Sequence, residues 1–425
     1  MSSGVGPSPR RRRRRPPSPD AAGDGDLDSL PPELLSLVLS RLPLRDAVRT
    51  SALARAWRRR WESVPGLRFR WRGGADPRAI SGVLRRYACP VREFLHAHVP
   101  EASFRHAGRW LRLLALRGVH TLDLNFETND ELLIYTLHPS IFSCRALKVL
   151  ELRGCNVPAP PPGFAGLPEL TSMRLCKVDF PEGGRVRELL IATAPLLEQL
   201  CLDDISVPDI DGEEDHWVIQ APRLRSFSVT SIFDPGWQIN DLPSLEEADI
   251  DCFTYSTDRD YIKLMKGLVH ARELQLGFPP RNYNILEGLS CSFDNLKSLL
   301  LRTSLRLLSS TSCLFSLLRN APKLEDLVIE LIEELPQDDE LDSEFLNAQW
   351  SDDLFSSLTH VTVKYVRCKL SEMYFIEFVL SKATRLQEFH VYLDRFCPKS
   401  NEDAVTELVK YRRASSQAKL FFSRW

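Results

Sequence analysis

Apolar residues recur over most of the chain in the pattern Leu-x-x-Leu-x-Leu, in which another apolar residue often replaces a leucine. Because side chains alternate along a strand, the last two apolar residues of each copy point to the same side. The middle positions of successive copies are 21 to 34 residues apart, which indicates repeats that stack around one continuous core. Val91 and Phe94 belong to a weaker first copy. The other middle positions are Leu122, Leu150, Met173, Leu200, Phe227, Ala248, Leu274, Leu299, Leu327, Val361 and Phe389.

Prolines mark where several of these predicted strands begin. In five copies a proline lies two residues before the first apolar position: Pro168, Pro195, Pro222, Pro243 and Pro322. Proline cannot continue a helix and favours extended geometry in the residue before it, so each one ends a return segment. Each return segment is predicted to be a helix or a turn, as in 186–194 and 314–320.

A helical pattern precedes the repeats. Pro31, Pro32 and Glu33 suit the first turn of a helix, where no backbone donor is lost and an acidic residue complements the helix dipole. Helical spacing then follows at Leu34, Leu35, Val38, Leu39 and Leu42, and Pro43 ends the helix.

Two further short helices are predicted before the repeats begin. The first, 45–50, places Ala47 and Val48 inward, and the second, 52–61, carries Leu53, Trp57 and Trp61. A segment this short does not bury a core alone, since chains below ~40 residues usually need a partner, a metal or disulfides. The segment is therefore either a docking element for another protein or a helical cap on the domain that follows.

The residues of this segment carry a family resemblance. LPPELLSLVLSRLPLRDAVRTSALARAW, residues 30–57, closely resembles the F-box of plant F-box proteins. Ala56 departs from the motif, which usually has a basic residue there, although Arg55 and Arg58 flank it. The resemblance implies that the segment binds a Skp-type adaptor and, through it, a cullin ubiquitin ligase. The residues that it assigns to adaptor contact are Leu30, Pro31, Leu34, Leu35, Val38, Leu39, Leu42, Val48 and Trp57.

The rest of the chain resembles the same group of proteins. The units look like their irregular leucine-rich repeats, although the usual Asn or Cys after the last leucine occurs only as Cys155, which predicts looser turns. Residues 355–363, 372–380, 383–391 and 414–418 resemble the FBD region that follows such repeats, here predicted to cap the open end of the core. It should contain helices over 372–382 and 401–413 and a final strand over 419–422.

The predicted fold class is α/β. A three-helix F-box is followed by an irregular leucine-rich-repeat solenoid, with parallel strands on its concave face, and by an α+β FBD-like cap. The predicted boundaries are a disordered Arg/Pro-rich tail over 1–27, the F-box over 28–62, the solenoid over 63–348 and the FBD-like region over 349–425.

Composition limits the cellular compartments and the classes of binding partner that we expect for this chain. Six arginines at 10–15 form either a nuclear import signal or a solvated tail. The formal charge of -2 argues against specific nucleic-acid binding, and no apolar run reaches the ~18 residues of a membrane span. Ten scattered cysteines without metal-binding spacing suit a reducing compartment. We therefore expect the nucleus, the cytoplasm or both, with no membrane partner.

Candidate sites for chemistry are few. Alternation would place His96 and His98 on one side of a strand, with His106 nearby, but no Cys or carboxylate completes a metal site at a usual spacing. The acidic segments 209–215 and 333–344 lack the glycine turn and spaced ligands of a calcium loop, so they are predicted to be exposed insertions. No nucleophile, phosphate-loop or acid–base motif appears. The sequence predicts no enzyme, no cofactor and no metal.

The strand face opposite the leucines carries mixed charge and is the candidate surface for a target protein. The residues singled out there are Asp203, Asp249, Asp251, Gln275 and Arg302. The main hypothesis is a substrate-recruiting F-box subunit of a Skp–cullin–F-box ubiquitin ligase. The alternatives are a leucine-rich-repeat scaffold without a ligase role, an ordinary solvated strand face, and a receptor in which a small molecule joins target to repeats.

Overall fold

The computed structural model describes residues 31–72, 75–130, 133–180, 185–205, 218–233, 237–254, 259–277, 283–332, 343–351 and 354–424. The chain forms two compact units, Met1–Leu67 and Arg68–Trp425. Leu30, the arginine run at 10–15, the acidic segment 209–215 and most of the acidic segment 333–344 lie outside the described residues.

The first unit begins with the two predicted helices. Helix α1 (Pro32–Arg41) starts with a proline and has Glu33 in its first turn, and helix α2 (Leu44–Arg49) follows after Pro43. The turn Arg60–Ser63 packs against α1. Eight apolar side chains of this unit are buried: Leu35, Leu39, Leu44, Ala47, Trp57, Trp61, Val64 and Leu67.

The prediction of a third helix over 52–61 is wrong. Three short 3₁₀ turns replace it, at Thr50–Ala52, Arg55–Trp57 and Arg60–Ser63. Ala54 is extended, with φ −154° and ψ 166°, so the chain leaves helical geometry between the first two turns. The broken path buries Trp57 and Trp61 but leaves Leu53 exposed, which a continuous helix with all three on one face would not do.

The second unit is built on one parallel sheet. Fifteen of the strands that the structure describes belong to it, and β8 and β10 form a separate parallel pair. The strands β1 to β17 are Phe69–Trp71, Glu93–His96, Thr121–Asn125, Tyr135–Thr136, Val149–Asn156, Ser172–Asp179, Gln199–Asp203, Val218–Ile219, Ser226–Phe233, Gln238–Ile239, Glu247–Thr254, Glu273–Gly277, Ser298–Thr303, Asp326–Leu331, His360–Val366, Glu388–Leu393 and Lys419–Arg424.

The predicted repeat register is confirmed strand by strand. Leu122 pairs with Leu150, Leu150 with Met173, and every further middle position with the next, as far as Phe389. All of these side chains are buried, so they form one apolar ladder through the core. The weaker first copy is β2, and β1, which lacks the leucine pattern, was not predicted.

The five prolines take a common role in the turns between units. In each case the residue two after the proline donates its backbone N–H to the carbonyl of the residue before the proline, at 3.0 to 3.2 Å. Proline at the second position is favoured in such turns because its φ is already fixed there. Each proline therefore positions the first apolar residue of the next strand.

Helices and turns return the chain between strands. The helices α3 to α10 are Pro77–Arg86, Phe104–Leu116, Arg185–Ala192, Tyr261–Gly267, Leu308–Arg319, Ser343–Ala348, Leu370–Lys382 and Asn401–Leu408. The return segments 186–194 and 314–320, predicted to be helices or turns, are helical over most of their length, in α5 and α7. Helix α10 ends five residues before its predicted end. The last three strands continue the same sheet, which confirms the mixed α/β class with its parallel strand repeats.

His96 lies inside the core rather than beside His98. Strand β2 ends at His96, so the alternation that would have placed both histidines on one side does not extend to His98, which is exposed. The His96 ring stacks between Trp71 and Trp110, with ring centroids 6.1 and 5.8 Å away. The predicted same-side histidine pair is therefore wrong, and His96 serves as a buried aromatic side chain.

The buried position of His96 should make stability depend on pH. Burial, together with the nearby His98, lowers the pKa of His96 from 6.5 to about 4. The unfolded chain therefore takes up a proton more readily than the fold, and stability falls as the pH drops from above 6.5 towards 4. Between about pH 7.5 and about pH 5 this contributes a loss of about 2 kcal/mol.

We expect His96→Phe, which keeps a ring between the tryptophans, to remove that part of the pH dependence. The measurement is the free energy of urea unfolding at both pH values, with His106→Phe, at a partly exposed histidine, as the matched control. An equal pH dependence in wild type and His96→Phe would contradict the assignment.

Candidate functional site

One face of α1 is apolar and exposed. Leu34, Leu37 and Val38, at helical spacing, are 48%, 49% and 51% exposed, whereas Leu35 and Leu39 on the other face are buried. Leu53, directly after the first 3₁₀ turn, is 64% exposed. Single exposed leucines are common, but a helix with apolar residues on both faces is typical of a segment that is buried on both sides in its working state. We call Leu34, Leu37 and Val38 the apolar patch.

The residues predicted for adaptor contact fall into groups. Pro31, Leu34 and Val38 are exposed, and Leu42 and Val48 are partly exposed. Leu35, Leu39 and Trp57 are buried, so in this structure they support the unit from inside and are not available for direct contact. The prediction also omitted Leu37 and Leu53. Leu37 sits three residues after Leu34, a signal that the sequence already contained, whereas the exposure of Leu53 follows from the broken third helix.

Arginines surround this part of the first unit. Residues 31–67 contain seven arginines and three acidic residues. All of these arginines except Arg60 are exposed, and Asp46 forms an ion pair with Arg49 at 3.5 Å. Arg60 lies over the Trp57 ring at 4.8 Å from its centroid. The unit therefore presents exposed apolar side chains within a strongly basic surface.

The second candidate surface is the side of the sheet opposite the apolar ladder, which we call the polar face. Asp203, Asp249, Asp251, Gln275 and Arg302 all lie on it, and all are partly exposed. The sheet register aligns Asp249 with Gln275, and Asp251 with Arg302 through one strand between them.

Charged side chains from four strands of the sheet form a network centred on Arg302. Its guanidinium lies 3.6 Å from Asp249, 3.4 Å from Asp251 and 3.2 Å from Glu330. Lys364 reaches Glu330 at 3.0 Å. Three carboxylates thus share two cations. Burial raises the pKa of Asp249, with a further contribution from Asp251, and Arg302 opposes the shift.

Gly277 makes the network possible. It lies between Asp251 and Arg302 in the register, on the strand that both side chains must cross. A Cβ atom at Gly277 would stand 2.3 Å from Asp251 Oδ1, so the carboxylate fills the space that a side chain would occupy.

Asp203 takes no part in the network. The Cys176 thiol donates a hydrogen bond to Asp203 Oδ2 at 3.2 Å, and burial followed by this hydrogen bond raises the pKa of Cys176 to about 12. Gln275 lies beside Asp249 in the register, and its side chain makes no hydrogen bond to the other residues that the structure describes.

Two further observations concern chemistry and membranes. Within the described ranges, no group of three or more His, Cys, Asp and Glu side chains is arranged to hold a metal ion. None of the helices in those ranges combines the length and apolar character that a membrane span requires.

Comparison with known proteins identifies the family of the chain and its two regions. Residues 107–329 match the model for the leucine-rich repeats of FBD-associated F-box protein At5g56370, and residues 27–69 match the F-box domain. The chain belongs to the plant F-box/leucine-rich-repeat family with an FBD-like C-terminal region. The first unit is thus its F-box and the sheet its repeat region.

Relatives from Arabidopsis thaliana extend over most of this F-box/leucine-rich-repeat chain. F-box/FBD/LRR-repeat protein At1g13570 is 25% identical over 443 residues, which cover 95% of this chain and 99% of the relative. FBD-associated F-box protein At5g38590 is 27% identical, with 72% of this chain and 78% of the relative covered. Putative F-box/FBD/LRR-repeat protein At5g22670 is 26% identical, with 92% and 96% covered.

The role of Gly277 leads to a prediction. Gly277→Ala should force the Asp251 carboxylate away from Arg302 and destabilise the fold by about 1 kcal/mol, the scale of one such charged contact. Gly82→Ala is the control, since a Cβ there meets nothing within 4 Å and alanine favours its helix, with a gain of about 0.5–1 kcal/mol. Urea unfolding measures both. A Gly277→Ala variant as stable as Gly82→Ala would contradict this account.

Proposed function

We propose that this chain is the target-recruiting subunit of a Skp–cullin–F-box ubiquitin ligase and performs no chemistry itself. The F-box would hold a Skp-type adaptor, and through it a cullin, while the polar face holds a target protein. Joining the two raises the effective concentration of the target's lysines near a recruited conjugating enzyme. The observation that carries the proposal is the exposed apolar patch of α1, inside the segment that matches the F-box domain.

Covering the apolar patch and Leu53 would supply part of the binding free energy of a complex. Fully burying one leucine or valine is worth about 1.5–3 kcal/mol relative to leaving it exposed. Leu34, Leu37, Val38 and Leu53 are each about half exposed, so covering them would contribute several kcal/mol before the costs of association. The buried Leu35 and Leu39 hold the other side of α1 and so fix the direction in which the patch faces.

The first test places charge in the patch. Leu34→Asp with Val38→Asp should weaken capture of a purified Skp-type adaptor at least about 100-fold, because two apolar contacts are lost and two carboxylates would have to be buried. Binding is measured by surface plasmon resonance. Leu39→Asp is avoided because Leu39 is only 1% exposed and the change would test folding instead.

The matched control is Leu116→Asp with Leu370→Asp. These two leucines of the second unit are 83% and 63% exposed, so the same change there alters the charge equally without touching the patch. Equal adaptor affinity in both pairs would contradict the proposal. Target capture by a wild-type chain that binds no adaptor would instead support a repeat scaffold without a ligase role.

The basic surface around the patch gives a second prediction. If the adaptor presents acidic groups to the F-box arginines, charge attraction steers the encounter, and salt screens it. The association rate constant should fall about tenfold between about 50 mM and about 500 mM NaCl, with a much smaller change in the dissociation rate. Stopped-flow fluorescence measures both rates. An association rate independent of salt would argue against an acidic partner surface.

A further inference from the structure

The polar face changes its chemistry along the row of positions that contains Asp249. Towards the C-terminal end, the strands place Leu300, Val328, Thr362, His390 and Phe421 in successive register with Asp249 and Gln275. These five side chains point away from the apolar ladder and are all partly or well exposed. We call them the apolar row, after Leu300, Val328 and Phe421. Its polar members are Thr362 and His390, and His390 pairs with Glu388 at 3.1 Å.

Stacking organises the far end of the apolar row. The His390 and Phe421 rings stack with centroids 4.6 Å apart, and Phe421 remains 41% exposed. At the near end, Leu300 and Val328 lie on adjacent strands. The residues before and after each of them are leucine or isoleucine and are buried on the core side of the sheet. Apolar side chains at positions that elsewhere carry charge leave partly exposed apolar surface that a binding partner could cover.

The charge beside the near end of the apolar row is predominantly negative. In the Arg302 network three carboxylates share two cations, and Asp249, which adjoins the row, is its most exposed carboxylate at 37%. The neighbouring row of the same face adds Glu247, Glu273 and Asp326, all exposed and aligned through Ser298. An acidic segment would be repelled here, whereas a lysine or arginine beside Asp249 would supply the missing positive charge.

We propose that this part of the polar face binds an extended segment of the target that carries a lysine or arginine against Asp249 and apolar side chains over the apolar row. The proposal rests on the target-recruiting role inferred above and names the chemistry of the target. Leu300 lies two strands from Asp249, about 10 Å at ~4.8 Å per strand, which an extended peptide spans in about three residues. Phe421 lies six strands away, or about nine residues.

The test is selection from a display library of random peptides against the full chain in complex with its Skp-type adaptor. The expected result is enrichment of peptides with a lysine or arginine about three residues from an apolar residue. The selected peptides should then lose at least tenfold in affinity for Asp249→Lys with Asp251→Lys. They should lose as much for Leu300→Ser with Val328→Ser, which changes no charge and guards against a purely electrostatic effect.

Matched charge reversal elsewhere is the control. Glu169→Lys with Glu287→Lys alters the net charge equally at exposed positions in return segments outside the polar face, and should leave peptide affinity unchanged. Circular dichroism and adaptor capture, measured in the same preparations, verify that each variant is folded. Loss of peptide binding with adaptor capture intact supports the inference.

Three results of the peptide selection would overturn it: selected peptides that are acidic or lack a basic residue, affinities that neither polar-face pair changes, or enrichment only in a chain that lacks residues 1–27. The last would assign the surface to the chain's own arginine-rich tail. A dimer that the Asp249→Lys, Asp251→Lys pair dissociates would likewise give the surface to a second copy. If the chain binds such peptides but captures no adaptor, only the proposed ligase role is contradicted.

Discussion

The apolar ladder of the parallel sheet is the interaction on which the second unit depends. One side chain per strand, from Leu122 to Phe389, stands in register with its neighbours and is fully removed from water. No single strand of five to eight residues buries enough apolar surface to be stable alone, so each unit relies on the units beside it. The proline turns reinforce this arrangement, because they deliver the first apolar residue of a strand at a fixed point.

Because side chains alternate along each strand, the residues that stabilise the sheet differ from those that are available for binding. Because consecutive side chains of a strand point to opposite sides, the ladder determines the register of the polar face without determining its chemistry. Charged residues in the middle and apolar ones towards the end can therefore vary while the core stays the same. The F-box unit follows a different principle, since α1 is apolar on both faces and buries only one of them among the described residues.

Much of the fold was predictable because the repeat pattern is local and its register is carried by the leucines. The break in the predicted third helix of the F-box was not predictable, since apolar spacing over 52–61 does not reveal that Ala54 is extended. Strand β1 was missed because Phe69–Trp71 has no leucine pattern. The Arg302 network joins Asp251 to Arg302 across about fifty residues of sequence, yet the register aligns Asp251, Gly277 and Arg302, so this pairing could have been found from the repeats alone. The division of the F-box residues into exposed and buried could not, because apolar residues occupy both faces of the helix.

Hydrogen–deuterium exchange of the full chain, with and without a saturating Skp-type adaptor, shows whether the F-box binds the adaptor through its exposed side chains while the polar face stays free for a target. We predict slower exchange in Pro32–Arg41 and Thr50–Ala52, with unchanged exchange in the strands that carry Asp249, Arg302 and Val328. Protection of those strands by the adaptor, or no protection of α1, would contradict this division of roles.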